Sequence, residues 1–377
     1  MFQANTDIPS ALGEFQIDGA LFRYEQFVPK LYNYCKSIDF EIDKIMPSRA
    51  FCSDENQGYP TILIAKHFRN FPFNHGRVGG VMATVRHKPH AAHGRDMVIV
   101  QASHVGYQED EQSFGSYRRL CTDDHHMSRC CGKLASAIKW YRDEYEFAKN
   151  NIFMEKIDGE NFFIIDNQLL DTEIEQGLLV KLEVLVASKR GHYVPSRSLS
   201  TSKYFKASYE VDHLFNDVDE KVVIGEKLMP DFFHFKRDIG PIIEGLNMVE
   251  HNLLPVMPWV VASASPLLTA AKVNVQVEFD RAFRTIAKEQ AYAGKRLVYI
   301  AGLNIDISPK DGQLFPVTMF VPWAMYVQCE DGDHRVFEQS EIIEILNQQS
   351  DENVDQLNLD DAISIMQTME SVSVVER

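Results

Sequence analysis

The stretch "MVIVQASHVGY", residues 97–107, decides the fold class. Its first part, "MVIVQAS", is almost continuously apolar and β-branched. A strand with one wet face alternates apolar and polar residues, so this run reads as a central strand covered on both faces. Outward from it, strand and helix patterns alternate. Residues 20–45 read as a helix with an apolar face, interrupted at Pro29, and "RAFCSDE" (49–55) as a short strand ending in a polar cluster. "TILIAKHFRNF" (61–71) reads as helix, "NHGRVGG" (74–80) as a Gly-rich turn, and "VMATVRH" (81–87) as a strand or short helix. After the central strand, residues 130–149 carry Leu134, Ile138, Tyr141 and Tyr145 at helical spacing. Such alternation predicts an α/β protein with a central parallel or mixed sheet flanked by helices.

Farther along, "GLLVKLEVLVA" (177–187) fits either a helix or a strand. Residues 230–249 read as helices with breaks, and 273–294 as one helix ending at Gly294. "KRLVYIAGLNIDIS" (295–308) and "FPVTMFVPWAMYV" (315–327) read as two strands joined by a segment with a DG turn signal. From Cys329 onward the chain is acidic and short-helical, with a partly mobile end expected after about residue 350. The expected domains are therefore 1–328 and an acidic, partly helical tail, 329–377.

The 377 residues are 45% hydrophobic and 24% charged, an ordinary globular composition. A net charge of −16 argues against nucleic acid or an anionic membrane as the main partner, since both need a basic footprint. No apolar run is long enough to span a bilayer. The first residues, "MFQANTDIPSALGEF", lack a basic segment followed by an apolar core, so secretion is not expected. Six cysteines are too sparse for a disulfide scaffold. A reducing compartment, cytoplasm or organellar stroma, is expected.

The placement of His and Cys says more than their number. Eight of the 13 histidines (67, 75, 87, 90, 93, 104, 125 and 126) lie between residues 67 and 126. Four of the six cysteines (52, 121, 130 and 131) lie between residues 52 and 131. These side chains ligate transition metals. Cys52 follows a strand, with Asp54 two residues on. His104 ends the central strand, and Cys130 and Cys131 sit where loop gives way to helix. In an open α/β sheet, ligands gather at the carboxyl ends of strands. Cys52, His104 and one of Cys130 and Cys131 can therefore meet there. Two thiolates and an imidazole suit catalytic zinc, with the fourth position left for water. Asp54 would orient that water. The alternatives are buried structural cysteines and a vicinal redox pair, the latter disfavoured by the geometry a disulfide needs. The loop "RHKPHAAHG" (86–94) reads as a solvated or pocket-lining loop, and "DDHH" (123–126) as surface. "GRVGG" matches no nucleotide-binding fingerprint, and neither G-x-S-x-G nor H-E-x-x-H occurs.

"FCSDE", "MVIVQASHVGY", "FGSYRR" and "SRCCGKLASAI", in this order, resemble the limiting-CO2-inducible protein B family, the LCIB-like or θ-class carbonic anhydrases. "VGGVMATVRHKP" and the late strand pair extend the resemblance over residues 15–327. The resemblance implies a fold similar to β-class carbonic anhydrases, a homodimer, and zinc held by Cys, His and Cys. It implies reversible hydration of CO2 to bicarbonate by a zinc-hydroxide mechanism. The implied ligands are Cys52, His104 and Cys131, the last preferred to Cys130 because the β-class ligand also precedes a glycine. Asp54 is the implied carboxylate of an Asp–Arg dyad. The β-class pattern puts Arg at 56, where this chain has Asn56. Arg77 is taken as the dyad arginine, with Arg69 and Arg119 as alternatives. His87, His90 and His93 are candidate proton shuttles. A catalytically weak or inactive zinc-binding sensor or scaffold of the same fold is the alternative function. A zinc hydrolase or deaminase on an unrelated α/β fold is a third, and the absence of the deaminase signature counts against it.

Overall fold

The 97–107 stretch lies within one strand, Asp96–Gln108, whose residues 96–106 are all buried. The computed structural model describes residues 12–84, 96–118, 127–213, 220–310, 312–313 and 316–368. They fall into two units. One holds Phe15–Cys131, Glu244–Leu246 and Asn274–Arg377; the other holds Met1–Glu14, Gly132–Ile243 and Asn247–Val273.

The first unit is built on an eight-stranded sheet. Its strands are β1 (Phe22–Arg23), β2 (Ile45–Ala50), β3 (Phe73–Asn74), β4 (Asp96–Gln108), β5 (Ser113–Phe114), β6 (Leu297–Ile307), β7 (Val317–Gln328) and β8 (His334–Glu338). The order is β1-β7-β6-β4-β2-β3, with β8 on β7 and β5 on β4. β4 runs parallel to β2 and β6, while β6 and β7 are antiparallel. The expected α/β class with a mixed sheet is observed. The β4–β6 register sets His104 opposite Asn304.

Six longer helices are α1 (Tyr24–Ser37), α2 (Gly58–Phe68), α3 (Gly132–Asn150), α4 (Pro266–Ile286), α5 (Gln339–Asn347) and α6 (Leu359–Thr368). In α1, Tyr24, Phe27, Val28, Leu31, Tyr32 and Cys35 recur at i, i+3, i+4, i+7, i+8 and i+11, and all are buried. The stripe packs on the sheet. Phe27 stacks on Phe320 of β7 at 4.1 Å between centroids, and Tyr24 meets the same ring edge-on at 5.9 Å. Pro29 does not interrupt α1. It lies in the second turn, where its missing N–H forgoes a single bond to the Glu25 carbonyl. The helix instead ends at Ser37, and β2 takes residues 45–50, so Cys52 follows that strand as expected.

The acidic C-terminal segment contributes to this unit. β8 pairs with β7, and Ile342 and Leu346 of α5 join the core beneath α1. Residues beyond 350 are tied to α1 and α2. Lys36 pairs with Asp355 at 2.8 Å, Asn33 Nδ2 donates to the carbonyls of Ser350 and Glu352, and the Leu357 N–H donates to Lys66 O.

The second unit has a five-stranded sheet and a strand pair. Asp158 and Gly159, at φ of 52° and 81°, turn the hairpin Ile152–Ile157/Glu160–Asp166. This is the positive-φ geometry that a DG pair favours. The ambiguous 177–187 run is both things in turn: a strand, Gly177–Val180, then one helical turn, Leu182–Leu185. Residues 230–249 differ from the helical expectation. "FHFK", Phe233–Lys236, is a strand on Gly177–Val180, because its aromatics alternate with polar residues at the period of a strand. α4 starts at Pro266, seven residues before the expected start, with proline in the first-turn position it favours. Among the described residues no helix is long and apolar enough to cross a membrane.

Candidate metal centre

Cys52 lies two residues past β2, and its Sγ accepts the Gly79 N–H at 3.1 Å. The turn carrying Gly79 is drawn against the sheet. Gln101 Nε2 donates to Gly80 O at 2.9 Å, and Asn274 Nδ2 to Gly79 O at 3.0 Å. Two glycines permit the approach. A Cβ on Gly76 would lie 2.0 Å from Phe51 O, and one on Gly80, whose φ is +76°, 2.3 Å from Ala102 O. Gly76 and Gly80 of "HGRVGG" therefore serve close backbone contact, with Phe51 just past β2 and with β4.

His104 lies inside β4, four residues before its end, rather than at its end. The Cys130–Cys131 peptide is cis. Cys130 N donates to Gly115 O at 3.1 Å, and Cys130 O accepts from Gly106 N at 3.0 Å. The two thiols go to different places. Cys131 Sγ is 4.0 Å from Cys52 Sγ, whereas Cys130 Sγ is 3.3 Å from His104 Nδ1. Ligating atoms of Cys52, His104 and Cys131, all buried, lie within 4.8 Å of one another, as do those of Asp54, His104 and Cys130.

The first set fits zinc. His104 Nδ1 meets Asp306 Oδ2 at 2.8 Å, while Nε2 is buried with no hydrogen-bond partner. A buried ring nitrogen without a partner is costly unless something takes its lone pair. Two thiolates on a tetrahedral zinc, each about 2.3 Å from it, stand about 3.8 Å apart. The observed 4.0 Å between Cys52 and Cys131 is close to that.

Protons are unevenly shared. The hydrogen bond from Cys131, with help from His104 and the Gly79 N–H, outweighs burial and holds Cys52 down at about 4. The same bond, with burial, pushes Cys131 well above the ordinary thiol range. Burial pulls His104 down, but the thiols of Cys130 and Cys131 and the Asp306 carboxylate outweigh it and hold the imidazole well above its usual value. Burial raises Cys130. Between the two facing thiols, the proton thus favours Cys131 and the thiolate Cys52. A metal requires both thiols deprotonated and the imidazole neutral, so zinc uptake at pH 7 should release protons, and affinity should fall as pH falls. Proton release measured with a pH indicator during zinc titration checks this; uptake without proton release would contradict it.

Asp54 is half-buried and caps the turn at Glu55–Gln57, its Oδ1 accepting the Asn56 N–H at 3.2 Å. Arg77 is half-buried on a two-residue strand; its Nη1 donates to Gly76 O at 3.4 Å, and among the described residues it makes no ion pair with Asp54. Arg69 pairs with Asp43 at 3.6 Å. His67 belongs elsewhere: it is buried against Asn353, and burial holds it down at about 4. Arg119, Cys121, His87, His90, His93, His125 and His126 lie outside the described residues.

Sequence reasoning passed over Asp306, Gln57, Asn304 and Thr318. All four are buried around His104 Nδ1. One signal was present: "LNIDI" puts Asn and Asp two apart, on one face of a strand whose other residues are apolar. A carboxylate there needs several donors or a cation.

Residues 21–185 match the sequence model of a family described as limiting CO2-inducible proteins B/C beta carbonic anhydrases. The matched segment includes Cys52, Asp54, Arg77, His104, Cys130 and Cys131, and ends before Asp306. No curated protein matches. Solved structures are similar too, two of them as follows. The crystal structure of PtLCIB4, a homolog of the limiting CO2-inducible protein LCIB, has a TM-score of 0.49 at 10% identity, over 89% of this chain and 99% of that one. The crystal structure of LCIB itself has a TM-score of 0.46 at 12% identity, over 89% of this chain and 100% of that one.

Proposed function

We propose, from the match of residues 21–185 to the sequence model of the LCIB-like carbonic anhydrases, that this chain hydrates CO2 reversibly to bicarbonate at a zinc ion held by Cys52, His104 and Cys131. The observation that carries the reading is the convergence of two thiols on a buried imidazole whose Nε2 has no other partner. A zinc ion held there would supply a Lewis acid able to activate water at neutral pH. The protein does the rest. Cys52 and Cys131 hold two positions and His104 a third. The Gly79 N–H supports the Cys52 thiolate. Asp54, within reach of His104 and Cys130, would accept a hydrogen bond from the attacking water and turn its lone pair toward CO2. Arg77 is proposed to orient Asp54 once substrate is present. The working assembly is a homodimer in a reducing compartment, where Cys52, Cys130 and Cys131 stay free thiols.

A second reading, a zinc-binding CO2 or bicarbonate sensor or scaffold without turnover, is favoured by one observation: Arg77 bonds to Gly76 O rather than to Asp54. Stopped-flow CO2 hydration by the zinc-loaded chain separates the two. The enzyme reading expects turnover well above buffer and a loss of about 10²-fold or more in kcat for Asp54→Asn. Zinc-loaded wild type no faster than buffer would leave the sensor reading.

A further inference from the structure

A directed chain of buried side chains ends on the metal-facing histidine. The Tyr24 hydroxyl donates to Asn304 Oδ1 at 2.7 Å. Asn304 Nδ2 donates to Gln57 Oε1 at 2.6 Å. Gln57 Nε2 donates to both Asp306 oxygens, at 3.2 and 3.0 Å. Thr318 Oγ1 donates to Asp306 Oδ1 at 3.1 Å, and His104 Nδ1 meets Oδ2 at 2.8 Å. Cys130 Sγ adds a longer contact to Oδ2 at 3.7 Å. Tyr24, Asn304, Asp306 and His104 are each 0% exposed.

The polarity of the chain is set at the carboxylate. An ionised Asp only accepts. Gln57 must therefore present its NH2 group to Asp306, which turns its Oε1 toward Asn304. Asn304 must then donate from Nδ2 and accept from Tyr24. By the same logic the His104 nitrogen facing Asp306 must carry a proton. The lone pair of the neutral ring is left on Nε2, the nitrogen without a partner. Asp306 and Asn304 lie on β6, beside His104 on β4, and outside the segment that matches the family.

We propose that Asp306, held by Gln57, Thr318 and the Asn304–Tyr24 pair, is a positioning residue. It fixes the His104 proton on Nδ1 and so presents Nε2 to zinc between the two thiolates. The inference rests on the metal-site reading above. Carboxylates behind a ligating histidine govern affinity by about 10–100-fold.

The test compares wild type with Asp306→Asn, which keeps the shape but sets an NH2 group against His104 or Gln57. Zinc affinity by chelator competition should fall about 10–100-fold. The cobalt-substituted variant should show an altered d–d spectrum, a signature that a merely structural role would not move. A variant with wild-type affinity and an unchanged cobalt spectrum overturns the proposal. Ring ¹⁵N shifts of His104 in the zinc-loaded wild type test it without any variant. They should show Nδ1 protonated and Nε2 metal-bound, and the reverse overturns it. If wild type takes up no zinc, the metal-site reading fails separately. The relay is then decided in the metal-free chain: a slowly exchanging, low-field Nδ1 proton that disappears in Asp306→Asn supports it, and its absence from wild type overturns it.

Discussion

Cys131→Ser should lower zinc affinity by about a thousandfold or more, while Cys130→Ser stays within about tenfold of wild type. The two residues are adjacent and similarly buried, so composition and exposure do not separate them. Geometry does. Cys131 Sγ faces Cys52 Sγ at 4.0 Å, and its loss removes one of three donors. Cys130 Sγ stands at the other nitrogen of the ring, 3.3 Å from His104 Nδ1, and accepts from Asn56 Nδ2 at 3.6 Å. A serine hydroxyl can keep those polar contacts. Chelator competition on both variants measures the asymmetry. Equal losses, or a larger loss for Cys130→Ser, would exchange the roles of the two thiols.

Gly76→Ala should cost about 3 kcal/mol or more of stability, against a change of under 1 kcal/mol for Gly58→Ala. The methyl group at 76 would sit 2.0 Å from Phe51 O and 2.6 Å from Phe51 N, where only backbone movement relieves the clash. At Gly58, which opens α2 in a right-handed helical conformation, a Cβ meets nothing within 4 Å. Because Phe51 adjoins Cys52, the strained variant should also bind zinc more weakly. Denaturant unfolding of the two variants checks the stability difference. Equal stabilities would mean that the turn carries no such close contact.

Much of the site was legible in the sequence, and the reason is local. Cys52, His104 and the Cys130–Cys131 pair each adjoin a recognisable strand or helix, and the central strand announced itself by composition. The choice between the two cysteines was not legible from the residues alone, because it depends on side-chain direction at one turn. Asp306 was hidden for a different reason. It lies 202 residues from His104 in the chain, and only the parallel pairing of β4 with β6 brings them together. No local pattern encodes that register. The Phe233–Lys236 strand was lost to a short window, four residues whose alternation is outweighed by apolar neighbours. Pro29 misled because its cost depends on how far into the helix it falls. The C-terminal segment looked peripheral from its acidity, yet Ile342 and Leu346 are fully buried, two positions on one face of a short amphipathic helix.

The central claim is best tested by measuring zinc content and CO2 hydration on the same purified sample, before and after chelation. The account predicts close to one zinc per chain, hydration well above buffer, loss of both on chelation, and recovery of both when zinc is returned. Cys52→Ser and His104→Ala should show neither zinc nor hydration. A chain that is folded, free of zinc and unable to take it up would contradict the account, and would leave Cys52, His104 and Cys131 as buried structural residues.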